Sequence, residues 1–212
     1  MPVSASINEL IQQTMETAEN LQRLVSEDRP HVVKSERDPL CLVYWTLMFE
    51  HHYSILVLAR SGLNASAFAL VRPFEEAFFL LFLVMHGTQR QFRSIQKGTY
   101  RTDFEAAGAK LDSHLAQGNT IVRKGISMQN WYKLRKNRLH GFTHGGLQQV
   151  VRHINGKDIV PNFPEQELRE MIETTMLHVH LAATLVTLFL GLTAENAVAG
   201  AAFNEYATRM TT

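Results

Sequence analysis

Long apolar segments bounded by helix start and stop signals are the feature that most limits how this chain can fold. Segment 38–60 opens with Asp38-Pro39, a pair that favours the first turn of a helix. Segment 64–85 is equally apolar and ends at His86-Gly87. Neither segment shows the alternation of apolar and polar residues that is typical of strands. The sequence therefore predicts long, largely buried helices.

Further start signals divide the rest of the chain into helices. Capping boxes, in which a hydroxyl and a Glu or Gln side chain satisfy free N–H groups, are predicted at Ser6–Glu9, Thr88–Gln91 and Thr102–Glu105. Ser127 is the predicted cap of a later helix, and Pro164 leads a long helix to about Leu190. The pattern predicts seven or eight helices.

Segment 38–60 is apolar on most sides, with a narrow polar stripe at Thr46, Glu50 and Ser54. A helix that is apolar nearly all round is usually surrounded by other helices. We therefore expect this helix to be central in the bundle.

Composition places the chain among ordinary globular proteins. It has 212 residues, 45% of them apolar, and a formal charge of +1, which argues against broad nonspecific nucleic-acid binding. Its single cysteine, Cys41, suits a reducing cytoplasm. The apolar runs 77–85 and 181–192 are shorter than the roughly 20 residues of a membrane span. We expect a cytoplasmic protein without a membrane segment.

These patterns predict an all-α fold, a single-domain helical bundle over residues 1–212. Its core bundle is expected at 38–192, with peripheral helices at 1–30 and 193–212. The main alternative concerns residues 148–160. A helix over 147–153 is predicted, but a small β-hairpin turning at Asn155-Gly156 fits the same residues.

Polar residues inside apolar helices are the informative ones, because burying an unpaired charge is costly. Arg72, Glu75 and Glu76 interrupt segment 64–85 just around Pro73. An ion pair within the helix is one interpretation, since Arg72 lies three and four residues from the glutamates. The other is that these groups support a site elsewhere. The histidine pairs 51–52 and 178–180 are each expected to have one buried and one exposed member.

The stretch from Trp131 to Gly146 concentrates the remaining candidates, and we call it the central stretch. Its candidate side chains are Arg135, Asn137, Arg138, His140 and His144. A histidine can deprotonate an RNA 2′-hydroxyl while an arginine stabilises charge on the phosphate. This pairing predicts metal-free ribonuclease chemistry, with Asn137 as a further hydrogen-bond donor to phosphate.

Metal binding is an alternative for the same residues. His140 and His144 are four residues apart, a spacing that can hold a metal on one helix face. The glutamate of an HExxH motif is replaced by Gly141, and the neighbouring basic residues would repel a dication. Carboxylates such as Glu75 or Glu76 would have to complete the ligand set. We therefore predict neither a metal nor another cofactor.

The spacings Arg135–His140 and Arg138–His144 resemble the R-x4–6-H motif of the HEPN helical-bundle ribonucleases and toxins. The wider context, with Arg72-Pro-Phe-Glu-Glu76 ahead of it, resembles uncharacterised bacterial proteins near abortive-infection helical proteins. The resemblance covers most of residues 38–192. It implies an all-α homodimer with the motif facing a dimer cleft, a role in toxicity or phage defence, and an antitoxin as a partner.

The functional prediction is a HEPN-like, metal-independent endoribonuclease. His140 or His144 would be the general base, Arg135 or Arg138 the phosphate clamp, and Arg72, Glu75 and Glu76 the supporting groups. One alternative is a non-catalytic helical module that binds a nucleotide, RNA or a protein. A second is a metal-dependent helical-bundle enzyme.

Overall fold

The computed structural model of the protein describes residues 4–26, 33–117, 127–130, 132–133, 151–152, 154–155, 158–159 and 162–209. Seven long or complete helices lie in these ranges: α1 (Ala5–Ser26), α2 (Asp38–Arg60), α3 (Asn64–His86), α4 (Gln89–Gln96), α5 (Phe104–Gln117), α6 (Glu165–Leu190) and α7 (Thr193–Arg209). Residues 128–130 and 132–133 are also helical. The fold is the predicted all-α bundle, a single helical body.

The only strands in the described ranges are two segments of two residues each, which pair with one another. β1 (Ile154–Asn155) pairs antiparallel with β2 (Asp158–Ile159), and Ile154 lies opposite Ile159. The strand pairing of the predicted small hairpin is confirmed, but Asn155 is the last residue of β1, and the predicted turn residue Gly156 lies outside the described ranges. Val151 is helical, so the predicted helix before the hairpin is confirmed at this position, and residues 147–150 lie outside the described ranges.

The central helix of the bundle is α6, and the prediction that α2 is central was wrong. α6 packs against α1, α2, α3 and α7, and its buried side chains lie on every side of the helix. α2 contacts α1, α3 and α6 but leaves Val43, Leu47 and Tyr53 exposed beside its polar stripe. An apolar outer face made α2 look more buried than it is.

Among the described helices, α6 alone has the length and hydropathy of a membrane span. Of its most apolar window, 78% is buried inside the bundle. This degree of burial is typical of the core helix of a folded domain, where other helices replace lipid as the apolar surroundings.

The capping signals were right about which helices exist and partly wrong about their first residues. Thr88 and Gln91 form the predicted capping box of α4. The N–H of Ile7 donates to Ser4 Oγ (3.3 Å), whereas the Ser6 hydroxyl donates to Glu165. α5 likewise begins after Asp103, whose carboxylate accepts from a backbone N–H of the first turn. Neighbouring residues of similar capping strength compete, and tertiary contacts select one.

Loop 33–37 ties together the carboxyl ends of α3 and α6. The Arg37 guanidinium donates to the carbonyl of Val84 (2.6 Å), in the last turn of α3, and to that of Gly87 (3.1 Å), just after it. Lys34 Nζ donates to the carbonyl of Leu190 at the end of α6 (3.3 Å). Cations are favourable at both places, because the free carbonyls of a helix end carry partial negative charge.

Asp38 holds this loop in shape and is not the helix cap that the sequence predicted. It is the first residue of α2, preceded by Arg37 at the cap position. Its buried carboxylate accepts hydrogen bonds from the N–H groups of Lys34 (2.8 Å) and Ser35 (3.1 Å) and from the Ser35 hydroxyl. Burial opposes ionisation, but these hydrogen bonds hold the pKa of Asp38 below its ordinary value.

We predict that Asp38→Ala lowers the free energy of unfolding by about 1–2 kcal/mol, because two backbone N–H groups lose their acceptor. Urea denaturation followed by circular dichroism measures this change. Glu50→Ala, an exposed carboxylate on the same helix, is the matched control and should change stability by less than about 0.5 kcal/mol. Equal losses in the two variants would contradict the role given to Asp38.

Candidate active site and its supports

The side chains of the three charged residues around Pro73 point in different directions from α3. Glu75 is fully buried and faces His178 of α6. Glu76 is half-buried, accepts a long hydrogen bond from Thr102 (3.5 Å) and lies near Tyr44. The guanidinium of Arg72 lies 5.4 Å from the centre of the Phe104 ring. The described contacts therefore do not include the ion pair within α3 that was one interpretation of the sequence.

A carboxylate and an imidazole meet inside the core. His178 Nδ1 lies 3.3 Å from Glu75 Oε1, and the two side chains are 1% and 0% exposed. Phe74 and Phe78 of α3 flank the imidazole, with ring centres 6.0 and 4.7 Å from it. Charge in such surroundings is tolerated only when it is paired. A pair sealed in this way can fix the position of two helices, but a dissolved substrate cannot reach it.

Two more histidines are buried in the same core. His52 of α2 is 0% exposed and lies 5.9 Å from the Phe74 ring. His180 is 2% exposed and lies 4.7 Å from the Tyr206 ring. No hydrogen bond to either imidazole is found within the described part of the chain. Both pKa values fall, that of His52 to about 3 and that of His180 to about 4, mainly because burial disfavours the charged form.

The expectation of one exposed histidine in each pair was wrong for residues 178 and 180. Both are buried because α6 is covered on opposite sides by α3 and by α7. For the other pair the expectation was closer, since His52 is buried and His51 is half-buried. Sequence periodicity gives the direction in which a side chain points, but not whether another helix lies there.

The central stretch follows directly on a helix start that α5 holds in place. Ser127 is the predicted cap, and its hydroxyl accepts from the N–H of Asn130 (3.2 Å). The Asp112 carboxylate accepts from the N–H groups of Met128 (2.8 Å) and Gln129 (3.2 Å) and from the Ser127 hydroxyl (2.9 Å). A carboxylate at this end also complements the positive end of the helix dipole.

Gly108 allows α5 to approach this helix start closely. A Cβ atom at residue 108 would lie 2.9 Å from the backbone N and Cα atoms of Gln129. Backbone atoms cannot move aside as the end of a long side chain can. The contact therefore requires glycine, and we call the assembly of Gly108, Asp112 and residues 127–130 the anchor.

An aromatic layer extends from the anchor towards α3. The Tyr132 and Phe104 rings stack in parallel with centres 4.5 Å apart, and both contact Phe79 edge-on. Arg72 lies against the same Phe104 ring. Arg72 is thereby brought next to Tyr132, at the start of the central stretch.

The predicted catalytic residues Arg135, Arg138, His140 and His144, and the supporting Asn137, lie outside the described ranges, so their roles stay predictions. The described part of the chain contains no cluster of three His, Cys, Asp or Glu side chains arranged to hold a metal.

Sequence reasoning missed Gly108, Asp112 and His178 as structural supports. The sequence indicated one part of the anchor, because Ser127 was identified as a helix cap. Its second acceptor, Asp112, is fifteen residues earlier in the chain, and no local pattern marks such a contact.

The sequence profile described as a family of unknown function, DUF6988, matches residues 45–212, well over half of the chain, and the protein belongs to this family. No curated protein and no solved structure gives a significant match. The family covers α3, α6 and the central stretch, but not the beginning of α2 or α1.

We predict that Gly108→Ala loosens the anchor, because the added methyl group collides with the backbone at Gln129. Hydrogen exchange of the Met128–Asn130 amides should accelerate at least tenfold. Gly200→Ala is the matched control, since its Cβ would meet only Thr184 Cγ2 at an ordinary 4.0 Å and alanine favours a helix. Unchanged exchange in Gly108→Ala would show that the contact is not tight.

We also predict that the protein loses stability as the pH falls from about 6.5 to 4.5. The unfolded chain binds protons at His52 and His180 in this range, whereas the folded protein does not until about pH 3 and 4. Each such histidine costs about 1.4 kcal/mol per pH unit in this window. Urea denaturation at several pH values measures the slope.

The variant His52→Leu should keep about 2 kcal/mol more of its stability than wild type between pH 7.5 and 4.5, because one proton is no longer taken up on unfolding. His51→Leu, at the half-buried neighbour, should recover much less. Identical pH slopes in wild type and His52→Leu would contradict the assignment of a buried, neutral imidazole.

Proposed function

We propose that this member of the DUF6988 family is a HEPN-like, metal-independent endoribonuclease that acts as a toxin or in phage defence. Its active site is the central stretch, with His140 or His144 as general base and Arg135 or Arg138 as phosphate clamp. The observation that supports this most is the anchor, which holds the start of a strongly basic stretch firmly against α5. Rigid placement of catalytic side chains is what such chemistry needs.

The proposed reaction uses the ribose itself as the nucleophile. The histidine takes the proton of the 2′-hydroxyl, and the 2′-oxygen then bonds to the adjacent phosphorus. The bond from phosphorus to the 5′-oxygen breaks, and that oxygen leaves with a proton. The products are a 2′,3′-cyclic phosphate and a 5′-hydroxyl, and the arginine stabilises the extra negative charge on the phosphoryl oxygens. The step needs no cofactor.

Arg72 is the described residue best placed to assist the proposed reaction. Its guanidinium is half-buried against Phe104, which stacks on Tyr132 at the start of the central stretch. A cation held against an aromatic face keeps its donors in a fixed direction, and arginine can contact a phosphate with two of them. We assign Arg72 to binding the RNA backbone, with Asn137 as a further predicted donor.

The two glutamates act through other residues in this proposal. Glu75 is fully buried against His178, so its contribution is to fix the rotation of α3, which carries Arg72. Glu76 is half-buried near Thr102 and Tyr44 and can orient a histidine of the central stretch. Neither carboxylate is proposed to contact substrate.

The proposal also includes the partners that the HEPN resemblance implies. The protein would be a cytoplasmic homodimer whose two central stretches face one cleft, and an antitoxin would block that cleft. A dimer also resolves a problem of geometry, because residues five positions apart on a straight helix differ by about 140° in direction. Arginine from one subunit could then meet histidine from the other.

A non-catalytic helical module that binds RNA, a nucleotide or a protein is the second candidate. The observation that favours it is burial, since the described carboxylate–imidazole pair is inaccessible to substrate. The same basic stretch would bind phosphates without cleaving them. Binding without turnover distinguishes this candidate from the ribonuclease.

We predict that the purified protein cleaves mixed single-stranded RNA in excess EDTA and leaves 2′,3′-cyclic phosphate ends. His140→Ala with His144→Ala should abolish cleavage, and Arg72→Ala should reduce it about tenfold to a hundredfold, the effect of one lost charge-assisted contact to phosphate. End-labelled RNA on denaturing gels gives the rates. RNA with a single 2′-deoxyribose at the cleaved position should resist.

The matched controls are His51→Ala and Arg60→Ala, which remove a histidine and an arginine of α2 that have no place in the proposed site. Both should keep wild-type rates. Cleavage that survives in the double histidine variant would exclude these residues from catalysis. Activity that EDTA abolishes and added metal restores would favour the metal-dependent alternative, whereas RNA binding without cleavage would favour the binding module.

A further inference from the structure

A second group of basic side chains lies where α3, α4, α5 and α6 meet, apart from the buried Glu75–His178 pair. The imidazoles of His86, at the end of α3, and His114 of α5 have ring centres 3.9 Å apart. Lys110 lies one turn before His114 on α5, and Arg37 approaches from the loop before α2. We call these four residues the basic cluster.

Within the described residues the basic cluster has no acidic partner. No ion pair in this part of the chain involves His86, Lys110 or His114. Glu36, in the same loop as Arg37, accepts a hydrogen bond from Gln89 (2.5 Å). The positive charge of Arg37 is partly compensated, because its guanidinium donates hydrogen bonds to carbonyls at the end of α3 and to Gln89.

The side chains of the basic cluster other than Arg37 make few hydrogen bonds. The one described hydrogen bond of Lys110 is a long contact to Gln91 Oε1 (3.4 Å), an oxygen that also accepts from the Thr88 N–H. His86 Nε2 is buried without a hydrogen-bond partner in the described residues. All four residues are half-buried, so the charges of Lys110 and Arg37 are only partly screened by solvent.

The wall behind the two imidazoles is apolar. Phe82 lies 5.3 and 5.8 Å from the rings of His86 and His114, and Phe189 of α6 lies 6.3 Å from His86. Low polarity strengthens the attraction between these cations and an anion. Burial and mutual repulsion also lower the pKa of His86 to about 4 and shift those of His114 and Lys110 downwards.

We propose that Lys110, His86 and His114, with Arg37 beside them, form a binding site for a phosphate dianion, either inorganic phosphate or the terminal group of a phosphomonoester. Partial burial of the Lys110 and Arg37 charges without a nearby acid is unfavourable, and a bound dianion compensates these charges. It also accepts from Lys110 and from both imidazoles once they are protonated. This inference does not depend on the proposed ribonuclease activity.

The coupling to pH has a definite sign. A bound dianion raises the pKa values of His86 and His114, so binding takes up protons. Affinity for the dianion itself should therefore increase as the pH falls from 8 to 6, although the dianion becomes a smaller fraction of the total phosphate over the same range. The charged and titratable groups facing the imidazoles are Lys110 from α5 and Arg37 from the loop, while α6 contributes only the Phe189 ring and α4 the neutral Gln91.

The test is a titration of the whole protein with inorganic phosphate and, separately, with adenosine monophosphate, at constant ionic strength in chloride. Proton NMR of the histidine C2 positions follows two resonances and gives both affinity and pKa. Saturable shifts of two histidine resonances, a higher affinity for the dianion at pH 6 than at pH 8 after correction for the fraction of ligand that is dianionic, and a raised histidine pKa are expected. Equal affinity for both ligands indicates recognition of the phosphate group alone, whereas tighter binding of the nucleotide indicates a phosphomonoester site.

Lys110→Gln should weaken phosphate binding at least tenfold, and Lys110→Arg should retain it because the charge is kept. Lys97→Gln, which removes an exposed lysine after α4, is the matched control and should bind like wild type. The absence of saturable shifts with either ligand, or equal affinities in wild type and Lys110→Gln, would overturn the proposal. His140→Ala with His144→Ala should not change phosphate binding here, which separates this site from the proposed active site.

Discussion

The contact between Glu75 and His178 constrains the structure more than any other single interaction. It places ionisable groups of α3 and α6 at 0% and 1% exposure, 3.3 Å apart. Removing either partner would take a compensating contact from the other inside an apolar core, so this contact favours one relative rotation of the two helices. That rotation decides where the remaining charges of α3 point. Arg72 consequently reaches Phe104, and Glu76 reaches Thr102.

Loop 33–37 applies a second constraint at one end of the same two helices. Arg37 and Lys34 satisfy carbonyls that α3 and α6 leave free at their carboxyl ends. Asp38 orders the loop by accepting three hydrogen bonds. The contact with the end of α3 also brings Arg37 into the basic cluster. The same charge therefore stabilises a helix end and contributes to the proposed anion site.

The central stretch depends on contacts that lie outside it. The helical residues just before it are capped by Asp112 and packed against Gly108, and Tyr132 at its start is held in the aromatic layer. A catalytic group needs its supporting residues as much as its own chemistry, since small displacements cost large factors in rate. The proposed site is accordingly a property of α3, α5 and the central stretch together. Its two possible chemistries, cleavage and binding, use the same basic side chains.

Local sequence was sufficient to predict where the helices lie, because apolar periodicity and capping residues act within a few positions of each other. The bounds of α2 and α3, the capping box at Thr88 and the hairpin after Asn155 all follow from such short-range signals. The central stretch was identified in the same way, from basic residues and histidines at close spacing. Its catalytic role rests on that spacing and on a resemblance, and remains a prediction.

Only the tertiary structure decided which apolar helix is central and which polar residues meet. α2 and α6 are similar in composition, but α6 is surrounded by four helices and α2 is not. Glu75 and His178 are more than a hundred residues apart, and the Asp112 contact joins two separate helices. Such pairings depend on the packing of whole helices, whose energy is summed over many weak contacts and has no local signature. The sequence by itself therefore determined the helices and the candidate chemistry, whereas the packed fold determined the partners of each buried charge.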